Sequence, residues 1–182
     1  MKIIKNFLPK DKFKILQAIM LGNNFPWFYT DHLAANSITV EEEGKQIDRF
    51  WFDNKGKRVN YESYYFFHMF YQNGKPNSEF FHLMEPILTK LKCFTAIQVR
   101  ANLLVNRDMS YKSVPHTDGG PKHTTSILYI NTNNGYTLIN DKKIRCEENK
   151  MLIFDSNTIH QAIAQTDTDQ RVVINFNYYG HE

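Results

Sequence analysis

RVVINFNYY, residues 171–179, decides how this 182-residue chain is read. Laid out as an extended strand it alternates: Arg171, Val173, Asn175 and Asn177 fall on one side, Val172, Ile174, Phe176 and Tyr178 on the other. One side is apolar. The other is polar and opens with a guanidinium fork, whose geometry suits a bidentate carboxylate. Taken alone, Arg171 reads equally well as a surface residue at a strand start.

Upstream of this strand the pattern repeats in kind. Short apolar runs at 95–105, 124–131, 136–139 and 151–154 follow one another with Gly, Asn or Asp between them, and no helical period intervenes. Short strands in regular succession predict an antiparallel sandwich or jelly roll rather than alternating β and α units. The first half differs. Phe13, Leu16, Ile19 and Met20 recur at helical spacing over 11–21, and Gly22-Asn23 supplies a stop. FPWFYT (25–30), IDRFWF (47–52) and YYFFHMFY (64–71) read as strands. A second helix is expected over 78–92, where Phe81, Met84, Leu88 and Leu91 share a face and Pro86 breaks the first turn or bends the axis. The expectation is therefore α+β, helices packed outside a β-core, in one domain spanning 1–182. Residues 1–94 form a helix- and aromatic-rich support and 95–179 the core.

Composition removes several classes. Hydrophobic residues at 42% and charged ones at 23% exclude a disordered or collagen-like chain. A net charge of +3, with no block of like charges longer than Glu41 to Glu43, gives little support to a dedicated nucleic-acid binder. Two cysteines, outside any CxxC pattern, disfavour both a disulfide framework and a thiolate zinc site, so a reducing cytoplasm is the expected location. No run of eighteen apolar residues and no signal-like leader occurs, so no membrane partner is expected. The aromatic share of 14% is concentrated before residue 85, as fits strands and thick cores.

His116 and Asp118 in PHTD, together with His160 in FDSNTIH, carry the chemistry. Residues two apart on an extended chain point the same way, so both side chains of the pair reach one metal while Thr117 turns aside. An antiparallel return brings His160 beside them. Two imidazoles and a carboxylate on one face of an octahedron leave three positions open, the arrangement of non-haem Fe(II) oxygenases. An HxD triplet alone is weak, expected about 0.4 times by chance in a chain of this composition. A later His, with Arg171 beyond it, lowers the chance to about 0.1.

Taken in order, PHTD, TTSILYIN, NNGYTLI, MLIFDSNTIH and RVVINFNYY resemble the Fe(II)/2-oxoglutarate-dependent dioxygenases, especially the prolyl-hydroxylase-like branch, over residues 97–179. FPWFY and RANLLVNR are similar to segments of small oxygenases carried by marine bacteriophages. The resemblance implies a double-stranded β-helix (a cupin-like jelly roll) and assigns His116, Asp118 and His160 as ligands of Fe(II). It implies Arg171 as partner of the distal carboxylate of 2-oxoglutarate, with the Tyr129 hydroxyl donating to the same carboxylate. Asn102, fourteen positions before His116, and Asn175 are further polar candidates for that co-substrate. A buried Asn satisfied by backbone reads Asn175 equally well. The implied reaction consumes O2, releases succinate and CO2, and hydroxylates an unactivated C–H bond. Asp118 stands where halogenases of the family carry a small residue, which favours hydroxylation.

A peptidyl prolyl residue is the leading substrate by this resemblance. The same chemistry on alkylated nucleic-acid bases, with Lys5, Lys10, Lys12 and Lys14 as a basic patch, is a second option, and a non-catalytic metal-binding jelly roll a third. Oligomeric state is not written in these patterns. His68, inside an aromatic strand, reads as a satisfied core residue, while His123 is a minor candidate for the site mouth and His32, His82 and His181 lack partner spacing. Trp27, Tyr29, Trp51, Tyr61 and Tyr65 offer a substrate groove, although core packing is the plainer use of such residues.

Overall fold

A computed structural model describes residues 1–30, 64–107, 110–113 and 115–180, together with the backbone of four short strands between 40 and 59. The chain begins with β1 (Lys2–Ile4), α1 (Lys10–Leu21) and β2 (Phe28–Thr30). Two small hairpins follow, β3 (Val40–Glu42) with β4 (Lys45–Ile47) and β5 (Trp51–Phe52) with β6 (Arg58–Val59). Next come β7 (Tyr65–Gln72), β8 (Lys75–Pro76), a 3-10 turn at Glu79–Leu83 and α2 (Glu85–Lys90). The second half is β9 (Cys93–Val105), β10 (Thr124–Tyr129), β11 (Asn133–Ile139), β12 (Lys142–Cys146), β13 (Lys150–Asp155), β14 (His160–Ile163) and β15 (Gln170–Gly180).

The large sheet runs β1-β13-β10-β15-β9-β7-β2, with β8 beside β7, and the small one runs β12-β11-β14; all pairings are antiparallel. Alternation sorts each long strand. Val172, Ile174, Phe176 and Tyr178 of β15 join Val99 and Ala101 of β9 and Leu128 of β10 in an outer core, where α1 contributes Phe13, Leu16 and Met20 and α2 contributes Ile87 and Leu88. Each such side chain taken out of water stabilises the fold by about 1.5–3 kcal/mol. Between the sheets lies a second core: Ile127, Tyr129, Leu152, Phe154 and Val173 from the large sheet against Ile139, Ile144 and Cys146 from the small one. The result is an α+β chain built on a jelly roll, its helices on the outer face of the large sheet.

Several elements differ from the sequence reading. Residues 78–92 are two pieces rather than one helix: Ser78 caps the 3-10 turn by accepting from Phe80 N, and Pro86 sits in the first turn of α2, where its missing N–H costs nothing. Strand β1 is only three residues long, and β12 and β14 carry no run of β-branched or aromatic residues. Pairing with longer neighbours holds them: β1 extends the large sheet from β13, while β12 and β14 flank β11. The expected strand at 47–52 falls partly outside the described residues, as do His32, Tyr61, His181 and the side chain of Trp51.

Candidate functional site

His116 and His160 face each other across an isolated antiparallel bridge. His116 N donates to His160 O at 3.1 Å and His160 N donates back to His116 O at 2.9 Å, which sets the two rings 4.3 Å apart. Asp118 N donates to Ser156 O at 3.1 Å, and Gly119 and Gly120, both at positive φ, turn the chain away immediately afterwards. One ligand atom from each of His116, Asp118 and His160 then lies within 4.8 Å of the others, close enough for a single metal ion.

The donors are preset for that use. His160 Nδ1 lies 3.0 Å from Thr158 O, and a carbonyl only accepts, so Nδ1 carries the proton and Nε2 presents its lone pair toward Asp118, 3.8 Å from Oδ1. Burial and the neighbouring His116 hold His160 below its ordinary value, against the pull of Asp118, so the ring is neutral as a ligand must be. The other carboxylate oxygen, Asp118 Oδ2, accepts from Thr125 Oγ1, a hydroxyl that also reaches Asn177 Oδ1 at 3.0 Å.

These groups open into a pocket of about 310 Å³ between the sheets. Its floor is the inner face of β15, where Arg171, Val173, Asn175 and Asn177 all line it. Arg171 is only 2% exposed; its Nε donates to Cys146 Sγ at 3.0 Å and Nη2 reaches Thr137 Oγ1 at 3.4 Å. No acidic side chain pairs with it among the described residues, and a buried cation without a counter-charge is strongly destabilising. Asn175 Oδ1 is likewise buried with no hydrogen-bond partner among the described residues. A small anion would give Arg171 its missing counter-charge, whereas Asn175 Oδ1, an acceptor, calls for a donor.

Asn102 of β9 lines the same pocket and accepts from Arg100 Nε at 2.9 Å. Tyr129 is fully buried behind Thr137, to whose Oγ1 its hydroxyl donates at 2.8 Å; burial pushes its phenol up, so it keeps its proton. Thr137 thus stands between Tyr129 and Arg171. His123 does not line the pocket; its Nδ1 lies 2.8 Å from Pro121 O. His68 is a core residue, held between Pro26 O and Ser78 Oγ at 2.7 Å each. Of the aromatic groove candidates, Tyr65 lines the pocket, Trp27 packs against the outer core and Tyr29 is exposed.

The sequence reading passed over Arg100, Thr125, Thr137 and Gly135. Alternation along β9 puts Gln98, Arg100, Asn102 and Leu104 on one face, so the period that marks Asn102 marks Arg100 as well. Burial and desolvation draw the Arg100 guanidinium down to about 10, still far above neutral pH, so it remains a cation. Gly135 carries no local motif signal; a contact distant in sequence makes it matter.

No family model matches the chain, and no curated protein is similar to it in sequence. Solved structures are similar in fold. An oxidoreductase of the 2OG-Fe(II) oxygenase family from Burkholderia pseudomallei superposes with a TM-score of 0.62 at 8% identity, covering 99% of this chain and 85% of its own. The chain has the fold of the 2-oxoglutarate-Fe(II) oxygenases. Prolyl hydroxylases are among the oxygenases it resembles. The one from Trichoplax adhaerens, solved with a peptide fragment of the hypoxia inducible factor oxygen degradation domain, gives a TM-score of 0.57 at 13% identity, covering 98% of this chain and 82% of its own. The viral collagen prolyl hydroxylase of Paramecium Bursaria Chlorella virus-1, in its 2OG complex, gives 0.55 at 12%, covering 100% and 96%. Among the described residues no helix is long and apolar enough to cross a membrane.

Proposed function

We propose that this chain is an Fe(II)- and 2-oxoglutarate-dependent dioxygenase that hydroxylates an unactivated C–H bond of a peptidyl prolyl residue, with release of succinate and CO2. One observation carries the reading: His116, Asp118 and His160 converge within 4.8 Å in the same pocket as a buried arginine that lacks an acidic partner among the described residues. The donor set, two imidazoles and a carboxylate, suits Fe(II) and leaves coordination positions for other ligands. Arg171 gives the distal carboxylate of 2-oxoglutarate its counter-charge, and Thr137, which accepts from Tyr129, fixes the guanidinium. Asn175 and Asn102 offer amides along the length of the co-substrate. When bound, Fe(II) with 2-oxoglutarate and O2 supplies the oxidising power for C–H hydroxylation. The chain's part is to hold the metal, neutralise the co-substrate and seat the target carbon. The peptide in the Trichoplax structure and the collagen prolyl hydroxylase likeness support a prolyl peptide as substrate.

Anaerobic titration of metal-free protein with Fe(II) and then 2-oxoglutarate tests this reading through the visible charge-transfer band of the chelate. The band is expected in the wild type, absent in His160→Ala, and demanding far more 2-oxoglutarate in Arg171→Ala. Folded wild-type protein that binds iron without giving the band refutes the assignment and leaves a metal-binding jelly roll.

A further inference from the structure

Arg100 is a second cation lining the pocket, outside both the metal-ligand group and the residues assigned above to the co-substrate. It sits on the inner face of β9, opposite Asn175 of β15, with its guanidinium carbon 5.1 Å from the ring centroids of both Tyr65 and Phe67. Its Nε is committed to Asn102 Oδ1; among the described residues its terminal amino groups make no hydrogen bond and it has no acidic partner. Two aromatic faces and an amide fix the fork and leave its outer edge free toward the pocket.

Two considerations say what that edge is for. The first is reach. Position 175, opposite Arg100, is four residues from Arg171, roughly 13 Å along the strand. The Arg171 fork is held against Cys146 and Thr137 and the Arg100 fork between Tyr65, Phe67 and Asn102, so the two serve different parts of the pocket, and a five-carbon dicarboxylate spans only about 6 Å between its end carbons. The second is charge. Asp118 is the only acidic side chain lining the pocket among the described residues, against Arg100 and Arg171. Fe(II) adds two positive charges and 2-oxoglutarate two negative ones, so the loaded pocket retains one positive charge, and Arg100 is the cation left without an anion.

We propose that Arg100 binds a carboxylate of the primary substrate, so that hydroxylation falls beside an acidic group. This rests on the oxygenase reading and narrows its substrate class. The carboxylate comes either from an Asp or Glu side chain flanking the target proline in a peptide, or from the α-carboxylate of free proline.

Matched probes separate these sources. N-acetylated, C-amidated tetrapeptides containing proline beside Asp or Asn, and beside Glu or Gln, are compared with L-proline against L-prolinamide. Affinity is measured by calorimetry on protein loaded with Mn(II) and 2-oxoglutarate, and succinate release is followed in parallel with Fe(II). In the wild type the acid member of at least one pair binds about tenfold or more tighter than its amide, as a charge-assisted hydrogen bond supplies. In Arg100→Met, which keeps an apolar stem against Tyr65 and Phe67, that ratio falls to about one. Arg100→Lys keeps part of it, having the charge without the fork. Equal affinities within every pair, no binding by any probe, or a ratio that survives in Arg100→Met overturns the proposal. So does a tenfold or greater rise in the 2-oxoglutarate needed by Arg100→Met for half-saturation, which would make Arg100 a co-substrate residue. Failure of the oxygenase reading shows separately, as absence of the Fe(II)–2-oxoglutarate band in the wild type, and removes the basis of both.

Discussion

Gly135 makes room for Arg171: a Cβ on residue 135 would stand 2.9 Å from Arg171 Cδ, with Asn133 Oδ1 and Ile163 O as near. Ile163 O is backbone of β14 and Arg171 Cδ carries the guanidinium, so neither yields without shifting the small sheet or the fork. Gly135→Ala is therefore expected to lower stability by roughly 1–3 kcal/mol through overpacking. At roughly 2–4 °C per kcal/mol for a chain of this size, a thermal melt resolves that loss. It also displaces the Arg171 fork, so the 2-oxoglutarate titration should shift at least several-fold. A variant with wild-type melting and wild-type titration would show that the close approach is not a constraint.

Arg171 is buried without an acidic partner among the described residues, which separates its role in binding from any role in folding. Arg171→Met keeps the stem and removes a charge that is costly to bury alone. Co-substrate-free Arg171→Met should be as stable as the wild type or more so, while its 2-oxoglutarate affinity falls about a hundredfold, the loss expected for a charge-assisted pair in a dry site. Urea melts with and without 2-oxoglutarate read both quantities. A large loss of stability in the free protein would mark Arg171 as a structural residue held by Cys146 and Thr137.

Thr125 steadies Asp118 by donating to Oδ2, leaving the other oxygen turned toward His160. Such supporting hydrogen bonds carry about 10–100-fold in metal affinity. Thr125→Val preserves shape and removes the hydroxyl, so Fe(II) affinity should drop within that range with the fold intact. Competition with a chelator of known affinity measures it, and an unchanged constant would assign the hydroxyl to Asn177 instead.

The alternation of 171–178 was legible because Val172, Ile174, Phe176 and Tyr178 fall on the outer-core side and Arg171, Val173, Asn175 and Asn177 on the pocket side; a period of two needs no tertiary knowledge. The HxD pair was legible for the same reason, since residues two apart on an extended segment share a side, although His116 forms only an isolated bridge and the segment is no strand. What the sequence left unreadable depends on distant partners. Strand β14 is four residues with a single β-branched one, Ile163, and β11 supplies its order by pairing. Arg100 shares the β9 face of Asn102 by alternation, but only the pairing of β9 with β15, which sets it opposite Asn175, shows that this face lines the pocket. Pro86 announced a break, but whether it bends a helix or begins one depends on where the first piece stops: the 3-10 turn that Ser78 opens ends at Leu83, and Met84 closes it and caps the start of α2.

His68 links stability to pH. Its Nδ1 donates to Pro26 O and its Nε2 lies against Ser78 Oγ, both at 2.7 Å, and in the neutral ring Nε2 accepts from that hydroxyl. Phe25, Phe70 and Phe80 surround it at 4.5, 4.7 and 5.9 Å between ring centres. Burial holds its folded value below 6.5, with the Pro26 carbonyl pulling weakly the other way. As pH falls through 6.5 the unfolded chain takes up a proton that the folded chain refuses, so stability is fully present above 6.5 and is lost as pH falls toward and through the lowered folded value. The slope from this one group is at most about 1.4 kcal/mol per pH unit. His68→Gln keeps a donor for Pro26 without titrating, so its urea midpoint should fall less than that of the wild type between pH 7.5 and 5. Every other titrating group acts on both proteins alike, so the difference between the two curves isolates His68. Parallel curves would mean that the ring protonates in place.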